Sequence, residues 1–176
     1  MYRIIGIIVH AKDEDEALKK AKNSLDYLKE KRGVKFYATL DDEEYWKQRE
    51  DLKKDLPTAI LASNPKGVEL IEKGWGATVE RFVSALETVN LAIQYLTPEE
   101  IMEGELPTHL PDYIWKKFPH PEIGYFFLIV GDIWGKSLDY WLYYQNVPIR
   151  TKRDLDQALS PKSGLEAYLV PADVNF

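Results

Sequence analysis

Asp132 and Lys136 lie in the string Gly131-Asp-Ile-Trp-Gly-Lys-Ser137, directly after the apolar run at residues 125–130. A carboxylate and an amine at that spacing suggest phosphate binding or acid–base chemistry. A phosphate loop holds its anion with successive backbone N–H groups and needs four residues between its two glycines. Only Asp132, Ile133 and Trp134 separate them here, and two of the three are bulky and apolar. The spacing therefore predicts a bend between two aromatic strands, residues 125–130 and 138–144, rather than a nucleotide loop. In a plain bend Asp132 and Lys136 are hydrated and inert. They become acid–base partners only if folding closes both into one cleft.

Other residues with chemical capacity are scattered. Arg49 falls on the apolar stripe of a predicted helix, where it either lays its stem over the core or clamps an anion. Trp75 offers a stacking surface. Asn90 falls inside the apolar face of the strongest helical pattern, where a buried amide needs partners. Together with Asp132 and Lys136, these residues would line a ligand pocket between the sheet and a helical middle. His109 and His120 have no third ligand at metal-site spacing, and His10 is remote from both. Asp41 to Glu44 place four carboxylates at a helix start, which the helix dipole already explains. The chain has neither a Gly-x-Ser-x-Gly elbow nor a His-Glu-x-x-His motif, and no cysteine. Neither a cofactor nor a metal is expected, and the balance is against an enzyme.

The elements that must position these groups follow from periodicity. Residues 2–9 are apolar on both faces, as in a strand covered on both sides. Asp13 and Glu16 form a helix start, and Gly33 supplies the stop. Residues 34–40 alternate as a second strand. One helix is expected from Asp41 to Leu56, ended by Pro57, with a short strand near residues 58–62. Asn64-Pro65 opens another helix. Gly74-Trp75-Gly76 reads as a break, followed by the helical pattern Val79, Phe82, Val83, Leu86, Val89, Ile93 and Leu96. Thr97 and Thr151 each open a short helix, residues 113–118 form a helical turn or two, and residues 165–170 make a last strand closed by Pro171. No internal repeat or heptad array stands out.

Strands at both ends of the chain around a helical block at residues 41–118 predict one α+β domain over residues 1–176. The expected sheet is mostly antiparallel with about five strands, ferredoxin-like half-motifs and helices chiefly on one face. On its other face Trp134, Trp141, Tyr143 and Tyr168 would form an aromatic surface, the mark of a partner site.

Composition narrows the function classes. A net charge of −6 gives no general attraction to nucleic acid. No apolar run is long enough to span a bilayer, and residues 1–9 are too brief for a signal peptide, so a cytoplasmic location is expected. Many Lys and Glu beside two methionines and no cysteine resemble thermophile usage. The leading expectation is a non-catalytic module that pairs with itself or with another protein. The alternative is an enzyme or small-molecule binder using the pocket above.

Overall fold

The computed structural model describes residues 2–53, 55–103, 110–116 and 142–175. They fall into two compact units, residues 1–76 with 138–176, and residues 77–137.

The first unit is built on a mixed, mostly antiparallel sheet. Strand β1 (Tyr2–Ala11) is followed by helix α1 (Glu14–Lys31), capped by the Asp13 carboxylate, which accepts from the Glu16 N–H. Gly33, at φ +77°, turns the chain after the helix in a region that favours glycine. Strand β2 (Phe36–Thr39) leads to two short helical turns, α2 (Glu43–Trp46) and α3 (Glu50–Lys53), and then to β3 (Ile60–Leu61). Strands β4 (Leu142–Tyr144) and β5 (Val147–Pro148) form a tight hairpin, with Gln145 at φ 54° in its turn. Helix α7 (Lys152–Leu159) and strand β6 (Glu166–Asn175) complete this unit.

The strand order is β2-β6-β1-β4-β5, with β3 also on β6. β6 pairs antiparallel with β1 along its whole length, and β1 pairs parallel with β4. β2 faces residues 172–175 of β6. In β3, Ile60 sits opposite Leu169 and Leu61 opposite Tyr168. β2 and β3 thus run in the same direction along one side of β6, as a single strand interrupted by residues 40–59. Pro171 falls in the gap between them. The carbonyls of Ala167 and Asn175 accept from Ala62 N–H at 2.8 Å and Lys35 N–H at 2.7 Å, so odd-numbered residues of β6 turn their backbone groups to that side. The nitrogen of Pro171 therefore points where no strand asks for a donor, and β6 passes through the proline instead of ending there.

Register sorts the side chains. Ile5, Ile7, Val9, Ala11, Tyr143, Tyr168, Val170, Ala172 and Val174 share one face, all of them buried. Helix α1 lies on β1 and β6, and its Ala17, Ala21, Leu25 and Leu28 are buried. Full burial of each leucine contributes about 1.5–3 kcal/mol. The opposite face carries Ile8, Leu142 and Leu169, packed with Ala62, Ile71, Ile149, Leu155 and Ala158 from the start of helix α4 (Pro65–Tyr95), α7 and the intervening loops. Helices cover both faces, not chiefly one. A ferredoxin-like arrangement does not follow from these strands.

Two more expectations change here. Gly74-Trp75-Gly76 does not break the chain, because α4 runs unbroken through it. Gly67 and Gly74 let this helix approach closely: a Cβ on Gly67 would stand 2.3 Å from the Leu61 carbonyl oxygen, and one on Gly74 would stand 2.9 Å from Leu142 Cγ. The helix expected from Asp41 to Leu56 is divided at residues 47–49. Trp46 is buried and its indole N–H donates to the Thr39 carbonyl at 3.0 Å, which ties α2 down beside β2.

The second unit contains the rest of α4, then α5 (Pro98–Glu103) and α6 (Asp112–Trp115) among its described residues. Thr97 and Glu100 cap α5 reciprocally: the Thr97 N–H donates to Glu100 Oε2 at 2.8 Å and the Glu100 N–H to Thr97 Oγ1 at 3.3 Å. Among the described residues no helix is long and apolar enough to cross a membrane.

Candidate functional site

The residues singled out from the sequence are placed as follows where they are described. Arg49 sits in the break between α2 and α3, and its Nη1 donates to Asp173 Oδ2 at 2.8 Å. Tyr45 Oη donates to the same oxygen at 2.7 Å, and the guanidinium lies 5.2 Å from the Tyr45 ring centroid. Asp173 belongs to β6 and is buried, so these groups form an internal ion pair that neutralises a buried carboxylate. Trp75 is half-buried and packs against the apolar cluster of the first unit. Asn90 is exposed, not buried among apolar neighbours. Asp132, Lys136, Trp134 and Trp141 lie outside the described residues, as does the bend at residues 131–137. Tyr143 and Tyr168 are only 1% and 7% exposed on the α1 face, where they form core instead of a docking surface.

Two arrangements not anticipated from the sequence stand out. The first is on the second half of α4. Val79, Val83 and Leu86 are 40%, 46% and 41% exposed, and Ile93 is 68% exposed. With exposed Asn90 they follow one another at steps of four, three, four and three residues. The helical pattern is legible in the sequence, but a periodic apolar stripe ordinarily reads as core.

The second is a polar chain at the carboxyl ends of the parallel strands β1 and β4. His10 is 4% exposed and shares the sheet face of Ile8, while Tyr144 pairs in register with Ile8. His10 Nε2 lies 2.8 Å from the Ser160 carbonyl. A carbonyl only accepts, so Nε2 carries the proton and Nδ1 of the neutral ring is left as an acceptor. Tyr144 Oη lies 3.3 Å from that Nδ1, with the two rings edge to face at 88°. The Lys162 ammonium donates to Tyr144 Oη and lies 5.2 Å from the ring centroid.

Local structure fixes each member. Lys20 Nζ donates to the His10 carbonyl at 2.8 Å, tying β1 to α1. Lys162 begins a turn closed by Leu165 N–H to Lys162 C=O at 3.0 Å, with Gly164 at φ +70°. Thr151 and Asp154 form a capping box that sets α7, and α7 delivers Ser160. The sequence hides this chain because His10, Tyr144 and Lys162 are far apart along it and match no fixed spacing.

No curated protein and no solved structure matches the chain. Residues 1–113 match the family described as a domain of unknown function (DUF7995), and the chain belongs to that family.

Proposed function

We propose that the protein is a non-catalytic self-associating module whose partner is a second copy of the chain, met along the second half of α4. The observation that carries this reading is the exposed stripe Val79, Val83, Leu86, Asn90 and Ile93. Its steps assign Val79, Leu86 and Ile93 to d positions and Val83 and Asn90 to a positions of a heptad. A helix facing its own core buries its apolar stripe, whereas a stripe left open along one side of a helix suits pairing with a second helix. An asparagine at an a position bonds best to its own copy, which selects a parallel pair and one register. Glu80 and Glu87 flank the seam at e positions as a hydrated rim, and Phe82 widens its apolar side.

Sedimentation over a micromolar concentration range tests the reading. The expected result is a dimer that dissociates on dilution, and a monomer after Leu86→Glu with Ile93→Glu at unchanged helical content. A wild-type chain that sediments as a monomer throughout overturns it. Asn90→Val should give a tighter assembly of mixed size, because the polar a position trades stability for a defined oligomer.

A further inference from the structure

We propose that Tyr144, His10 and Lys162 form a separate site in the first unit, an activated tyrosine that accepts acyl groups from small uncharged esters. The arrangement has the parts that activate a weak nucleophile: a hydroxyl, a base within reach and a third group orienting the base. Tyr144 Oη is the hydroxyl, His10 Nδ1 at 3.3 Å is the base, and the Ser160 carbonyl at 2.8 Å from Nε2 holds the tautomer in which Nδ1 accepts. Every donor in the chain points inward, from Lys162 to Tyr144 to His10 to Ser160. The Lys162 ammonium beside the phenol oxygen stabilises the negative charge that grows there as its proton leaves.

Exposure fits the roles. His10 is buried, Tyr144 is half-buried and Lys162 is exposed, so the phenol oxygen stands between a dry base and water. The place is the carboxyl end of adjacent parallel strands, where ligands meet α/β sheets. In the step, Tyr144 Oη attacks the ester carbonyl and an Oη–acyl bond forms. The bond from the carbonyl carbon to the leaving oxygen breaks, the phenol proton passes to His10 Nδ1, and the leaving alkoxide takes up a proton from water.

The test is acetylation of the native protein by p-nitrophenyl acetate, read residue by residue by mass spectrometry. Tyr113 is 67% exposed and serves as the internal reference. A positioned base accelerates such steps by about 10²–10⁴-fold, so Tyr144 should acquire acetyl at least about tenfold faster than Tyr113. His10→Gln, which keeps a donor for Ser160 but supplies no ring base, should remove that advantage, and Lys162→Met should reduce it. If Tyr144 reacts no faster than Tyr113, or equally fast in folded His10→Gln, the chain is only a brace and the proposal falls. The first comparison needs no variant, so a failure of His10→Gln to fold does not protect the idea.

Discussion

Asp173 receives two donors on one oxygen, from Tyr45 and from Arg49, inside a strand flanked on both sides. Removing one partner of a buried pair leaves the other charge uncompensated, at a cost of about 3–5 kcal/mol. The Arg49 side chain retains 30% exposure, so Arg49→Ala should fall near or below the lower end, about 2–3 kcal/mol by urea denaturation. Asp173→Asn keeps an acceptor for Tyr45 and should cost less. A near-neutral Arg49→Ala would return that arginine to the role of a spare anion clamp. Glycine gives a second contrast at this scale. Gly67→Ala drives a methyl into a backbone carbonyl and should destabilise by about 1–3 kcal/mol. Gly74→Ala meets only the Leu142 side chain, and the gain in helix propensity offsets much of its strain. Gly67→Ala should therefore melt lower than Gly74→Ala.

Elements with a local cause are legible in the sequence. Asp13 and Thr151 cap the helices they are expected to open, and Gly33 ends α1, because caps and left-handed turns are decided within a few residues. Thr151→Ala should cost about 1 kcal/mol, and because α7 carries Ser160 it should also loosen His10, seen as a shifted imidazole resonance. Elements decided by distant contacts are not legible in the same way. Trp46 and Arg49 split a continuous helical pattern by bonding to β2 and β6, neither of which the pattern itself reveals. Gly74-Trp75-Gly76 resembles a break because glycine lowers helix propensity, yet packing against Leu142 favours the small residue. Pro171 resembles a strand end because its unused donor side depends on where β2 and β3 stop. Of the candidate site, the apolar character of α4 can be read in advance, but its exposure cannot.

Across the molecule, titration gives a pH profile with two limbs. Lys20 and the Lys12 N–H hold Glu16 below its ordinary value. Burial raises Asp41, but the bonds from Lys22 and Thr39 outweigh it and leave it lowered. Burial likewise raises Asp154, but the Thr151 and Arg150 donors outweigh it and leave it lowered. Groups lowered on folding stabilise above their unfolded values and lose that contribution as acid protonates them, so stability should fall below about pH 4. Tyr37 runs the other way: burial and its bond to Asp26 push it up to about 12. Its contribution is intact below about pH 10 and is lost toward 12. Tyr37→Phe should therefore lose less stability than wild type across that alkaline window, measured by denaturant midpoints. The family match covers β1 through α5 and the start of α6, so it includes His10 and Arg49 while Tyr144, Lys162 and Asp173 lie beyond it.

The place of β6 between β1 and β2 has a consequence for synthesis. β1 leaves the ribosome before β6 and meets that full-length neighbour only after everything between them has been translated. Until then the edge of β1 that β6 pairs with is open, so a nascent chain arrested before residue 166 should be protease-sensitive and held by chaperones, and should become resistant only once β6 has emerged.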